Sequence, residues 1–60
     1  MKSLENEILN ALVRRRDAAR SFRDQARMAN REDLAREWQV RSESYTNAIQ
    51  LVLEVSEDSK

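Results

Sequence analysis

The apolar seam of this chain changes phase once, near Asn30, and that break favours a folded-back pair of helices over one straight helix. The domain-swapped exchange of two opened chains is the other arrangement left open. Before it, the seam runs Leu4, Ile8, Ala11, Arg15, Ala18, Phe22 and Ala29, with Leu12, Ala19 and Ala26 alongside. After it, the seam runs Leu34, Trp38, Arg41, Tyr45, Ala48, Val52 and Val55, with Ile49 alongside. Steps of three and four return to one side of a helix. Extending the first seam past the break meets only polar residues: Glu32, Arg36, Gln39, Glu43, Thr46 and Gln50. At about 100° per residue the two stripes point roughly 100° apart on one straight helix. A straight helix cannot bury both against one partner, whereas two helices folded back on each other can.

The expected fold is therefore all-α: an antiparallel hairpin with helix 1 over about residues 3–29 and helix 2 over about residues 31–55. Ser3 is a suitable N-cap, and Glu5 and Glu7 sit where the helix dipole favours acids. Asn30 tolerates a left-handed conformation and is the natural pivot. Glu32 and Asp33 then open helix 2. Residues 1–60 form one domain in this scheme, with a frayed tail over 56–60. A turn at residue 30 sets the layers: Ala26 on Leu34, Phe22 on Trp38, Ala18 and Ala19 on Arg41, and Arg15 on Tyr45. Leu12 on Ala48 and Ile49, Ile8 on Val52 and Leu4 on Val55 follow toward the termini.

Composition narrows the chemistry. The 60 residues contain no Gly, Pro, Cys or His. Without His and Cys there is no nucleophile–imidazole pair, no thiolate metal site and no Glu-x-x-His helical carboxylate centre. Catalysis is not expected, and neither is a cofactor or a metal. No apolar run is long enough to span a membrane, and no signal-peptide pattern is present, so the default expectation is a cytoplasmic protein without a membrane partner.

Two helices burying one stripe each form a marginal core at this length. Leu9 and Val13 on helix 1, with Leu51 and Leu53 on helix 2, lie off the seam near the chain termini. Helices that are apolar nearly all round are covered on more than one side. These four residues are accordingly candidates for an oligomer interface. The expected assembly is a homo-oligomer: a dimer forming a four-helix bundle, or a higher helical oligomer. Each seam also carries one cation, Arg15 or Arg41, in layers next to Tyr45 and Trp38. Packed stems with guanidinium groups stacked on the rings, or a polar layer that fixes register, would accommodate them.

Charge is balanced overall, with 11 cations and 11 anions, but it is unevenly placed. Arg16, Arg20, Arg23, Arg27 and Arg31 step along one side of helix 1. Guanidinium groups at that spacing suit phosphates, so the row is the candidate anion site for nucleic acid or a nucleotide. The competing view is a solvated face in which acids within one turn neutralise the row: Asp17 with Arg14 and Arg20, Asp24 with Arg20 and Arg27, Glu37 with Arg41. The expected function is a non-enzymatic oligomeric protein acting through protein partners as adaptor, regulator or inhibitor. The alternative is an anion-binding module.

Overall fold

A computed structural model describes residues 4–58 and, of their side chains, those up to Ser56. It contains two helices, α1 (Leu4–Met28) and α2 (Glu32–Asp58), folded into an antiparallel hairpin. The Ser3 cap lies outside the described residues. Helix α2 continues to Asp58, three residues past its expected end, so Ser56 is helical rather than frayed. No helix among the described residues is long and apolar enough to cross a membrane.

The reversal falls at Asn30, which adopts φ 59°. Around it, the Arg31 N–H donates to the Ala26 carbonyl at 2.8 Å and the Asn30 N–H to the Arg27 carbonyl at 3.0 Å. This crossed pair satisfies two carbonyls that the last turn of α1 would otherwise leave open. In a chain without glycine, asparagine is the side chain best able to take the left-handed position. The Arg31 carbonyl then accepts the Ala35 N–H at 2.9 Å and starts α2.

The line along which the helices meet differs from the expected seam. Its centre is made of small residues: Ala19 and Ala35 are 1% exposed and Ser42 2%, with Ala26 also buried. Continuing toward the termini, Leu12 and Ile49 are half-buried at seven-residue spacing from Ala19 and Ser42. A seven-residue repeat of this kind keeps contact only if the helices coil gently around each other. The Ser42 hydroxyl donates to the Gln39 carbonyl of its own helix at 3.0 Å, so its burial leaves no donor unmet.

On α1 the residues expected inside are turned outward by about one residue step, roughly 100° on a helix, whereas Leu34, Trp38, Tyr45, Ala48 and Val52 of α2 stay half-buried. Leu4, Ile8, Phe22 and Val55 are between 42% and 70% exposed, and Ala11, Arg15, Ala18 and Arg41 are exposed as well. The reason is steric. Two helices pack closely through small side chains, whereas Phe22, Trp38 and two arginines along the contact line would hold the backbones apart. The expected pairing of Phe22 with Trp38 does occur, but on the rim of the interface.

Two contacts show how the contact line divides the molecule. Phe22 meets Trp38 on one side of it, and their sequence neighbours Arg23 and Gln39 meet on the other. The hairpin is therefore a slab, 46 × 21 × 9 Å, with two distinct faces.

Candidate functional site

The first face is apolar. Ile8, Phe22, Trp38, Tyr45 and Val52 border the contact line, and Leu4, Ala11, Ala18, Leu34, Ala48 and Val55 lie beyond them on the same side. At the turn end, the Phe22 and Trp38 rings stack with centroids 4.8 Å apart and planes inclined by 27°. The Arg41 guanidinium carbon lies 4.7 Å from the centre of the Trp38 ring, the stacking expected of it. Stacking on an indole lets a cation sit in an apolar surface while its other side stays in water. Arg41 takes the ring rather than Glu37 as its partner. Arg15 is exposed on this face and forms no such ring contact with Tyr45.

At the opposite end of the same face lies a groove of about 300 Å³. Ile8, Leu51, Val52 and Val55 form its walls, with Glu5 and Ser56 at the edge. The Ser56 hydroxyl donates to Glu5 Oε2 at 2.5 Å and ties the ends of the two helices together. The face thus carries a stacked ring pair at one end, with Phe22 47% exposed, and an apolar depression at the other.

The second face is polar and holds part of the arginine row. Arg20 and Arg23 line an open groove of about 370 Å³ with Gln39, Ser42, Glu43, Thr46 and Asn47. Arg23 is held in place: Nη1 donates to Gln39 Oε1 at 2.6 Å, and Nε lies 3.1 Å from Asp24 Oδ1. Gln39 passes the chain on, donating from Nε2 to Glu43 Oε1 at 3.1 Å. Arg16 is half-buried and pairs with Asp17 at 3.2 Å. Arg27 is exposed. Arg31 lies beyond α1, in the turn, 3.5 Å from Asp33. Arg16, Arg20, Arg23 and Arg27 thus follow one side of α1, and Arg20 and Arg23 are the two that line the groove.

The acids do pair with arginines, but with immediate neighbours: Asp17 with Arg16 and Asp24 with Arg23. Surface pairs of this kind contribute about 0–1 kcal/mol. The titration of Asp33 is displaced. The Leu34 backbone N–H and the Arg31 guanidinium favour its charged form and hold its pKa below the ordinary aspartate value. Among the described residues no group of three or more acids is arranged to hold a metal ion.

The four off-seam residues divide between the faces. Leu51 joins the apolar groove and is 60% exposed. Leu9 and Val13 are half-buried, seven residues from Arg16 and Arg20, and so on the polar side. Leu53 is 44% exposed and lies seven residues from Thr46, also on the polar side. The groove residues Gln39, Glu43 and Thr46 were visible in sequence as the polar continuation of the first seam. Their role as one wall of a groove needed the register of α1 against α2.

No known protein family matches the chain, and no curated protein or solved structure shows significant similarity to it.

Proposed function

We propose that this chain is a non-catalytic helical interaction module that works as an adaptor, regulator or inhibitor by docking its apolar face on protein. One observation carries the reading: several large apolar side chains lie exposed on one side of the hairpin while alanine and serine fill the centre of the contact between its helices. Leu4, Ile8, Phe22, Leu51 and Val55 are each at least 42% exposed, and they share one face. A contiguous apolar surface on so small a protein is costly in water and marks a surface that another protein covers.

Site-specific photocrosslinking in cells making the full chain tests this. A photoreactive residue at Phe22 should give protein adducts, whereas one at Val40, exposed on the outer side of α2, should not. Adducts from Val40 alone, or from neither position, would overturn the reading.

A second reading rests on the polar groove. Arg20 and Arg23 converge there with the hydroxyl and amide groups of Thr46, Gln39 and Asn47 and one carboxylate, Glu43; the two guanidinium groups are the part of this set able to hold a phosphate group. Titration with a nucleoside triphosphate and with short RNA at rising salt tests it. Binding should weaken steeply with salt and vanish on replacing Arg20, Arg23 and Arg27 by Gln; unchanged binding after that replacement would sink the idea.

A further inference from the structure

The apolar face holds a stacked ring pair at one end and an apolar groove at the other, with Arg15 and Arg41 exposed between them. We propose that it docks on a second copy of this chain, antiparallel, so that the Phe22–Trp38 pair of each copy enters the Ile8–Leu51–Val52–Val55 groove of the other. This rests on the docking reading above and names the occupant of that face.

Three observations lead to a second copy. The first is the shortage of core: among the described residues no large side chain is fully buried, and the buried ones are three alanines and one serine. A chain of 60 residues with so little interior needs a further apolar contact to hold a unique fold. The second is area. The backbone of the hairpin extends 46 by 21 Å in its two longer dimensions, so a broad side offers roughly 1,000 Å², room for the ~800 Å² per partner of a stable interface.

The third is the placement of the two features. The stacked rings, with Phe22 exposed, lie at the turn end and the groove opens at the terminal end of one face. From Phe22 to Ile8 is 14 residues, about 21 Å along α1. A two-fold axis crossing the face midway, near Arg15 and Tyr45, brings each ring pair onto the other copy's groove. Both contacts then form at once, as an isologous interface requires. A two-fold axis along the helices would instead set rings on rings and leave both grooves empty. The antiparallel pairing closes a four-helix bundle and leaves both polar grooves facing outward.

Analytical ultracentrifugation of the full chain, with emission from its single tryptophan, Trp38, gives the first test. The expected species has twice the 7.1 kDa chain mass, with dissociation in the micromolar range or below. As it forms, Trp38 emission should shift to the blue and become shielded from iodide. The double variant Ile8→Asp, Val55→Asp should be monomeric, and Val40→Asp should remain a dimer. A folded wild-type monomer, or a dimer that keeps Trp38 accessible, would overturn the proposal.

Because the aspartates could unfold the chain as well as separate it, a second measurement fixes the geometry. The chain has no native cysteine, so Ile8→Cys and Gln25→Cys variants can be mixed and oxidised. These sites lie 17 residues apart, about 25 Å along one helix, and cannot be bridged within one chain. The mixed disulfide should dominate; a predominance of 8–8 and 25–25 products would refute the antiparallel arrangement. Monomeric protein that still crosslinks from Phe22 to a different protein in cells would overturn self-association alone. Absence of any adduct would remove the docking reading itself.

Discussion

Phe22 of α1 and Trp38 of α2 stack at 4.8 Å on the outside of the hairpin, joining the helices at the rim of their contact rather than through its centre. The pair therefore does two things. It pins the register of α2 on α1, and it presents a rigid aromatic surface at one end of the apolar face. Ala19, Ala26, Ala35 and Ser42 make this possible, because their small side chains let the helices approach and leave the rings nowhere to go but outward.

Removing either ring should loosen the hairpin. Phe22→Ala is expected to lower stability by about 1–2 kcal/mol, less than a fully buried aromatic would cost, since Phe22 is 47% exposed. Urea denaturation followed by circular dichroism measures this. A change within experimental error would mean that the stack contributes nothing to register.

Ser42 separates packing from hydrogen bonding. Its hydroxyl serves only its own helix, so Ser42→Ala should shift stability by less than about 0.5 kcal/mol. Ser42→Leu should cost about 1–3 kcal/mol, because the added bulk must push the helices apart. Equal melting temperatures for the two variants would contradict the close approach described here.

The turn depends on a left-handed residue. Asn30→Gly should be neutral or mildly stabilising, and Asn30→Val should destabilise by about 1–2 kcal/mol, since a branched side chain is poorly accommodated at φ 59°. Thermal unfolding of the two variants side by side gives the ordering, and a tolerated valine would be incompatible with this turn.

Acid should act on the start of α2 through Asp33. Its folded pKa lies below the ordinary value because the Leu34 N–H and Arg31 favour the carboxylate. The stabilisation is therefore complete above the ordinary aspartate pKa and is lost as pH falls through the depressed one. Asp33→Asn should be less stable than wild type at neutral pH, with the gap closing as acid protonates Asp33. Unfolding curves across that range would show a pH-independent gap if Asp33 were unimportant.

Salt should strengthen self-association rather than weaken it. Arg15 and Arg41 are exposed on the apolar face, and the proposed two-fold gathers four guanidinium groups near its axis. Their mutual repulsion is screened as ionic strength rises. The dimer dissociation constant should fall between low and moderate salt, and the trend should flatten in Arg15→Gln. A constant that rises with salt would place attractive charge pairs at the interface instead.

Much of the fold was legible in sequence because it depends on local rules. The three- and four-residue steps, the phase break and the lack of glycine and proline specified two long helices. Asn30 stood out as the pivot because so few side chains tolerate its conformation. That Phe22 would lie level with Trp38 followed from the position of the turn. The arginine row was legible as a periodicity, but the loss of Arg31 to the turn and the neighbour pairing of Arg16 and Arg23 were not. Those depend on where the helix ends and on which rotamers the carboxylates reach.

What the sequence by itself determined is the helices, their break and the existence of an apolar stripe on each. Which side of each stripe meets the other helix was decided only in the tertiary structure. Periodicity ranks positions by polarity, and on that measure Phe22 and Trp38 belong inside while Ala19 and Ser42 belong at the margin. Packing of two helices ranks positions by size as well. Close backbone approach favours the small residues at the contact and turns the large ones onto a common outer face. That rotation by one residue step turns the expected core into the candidate docking surface.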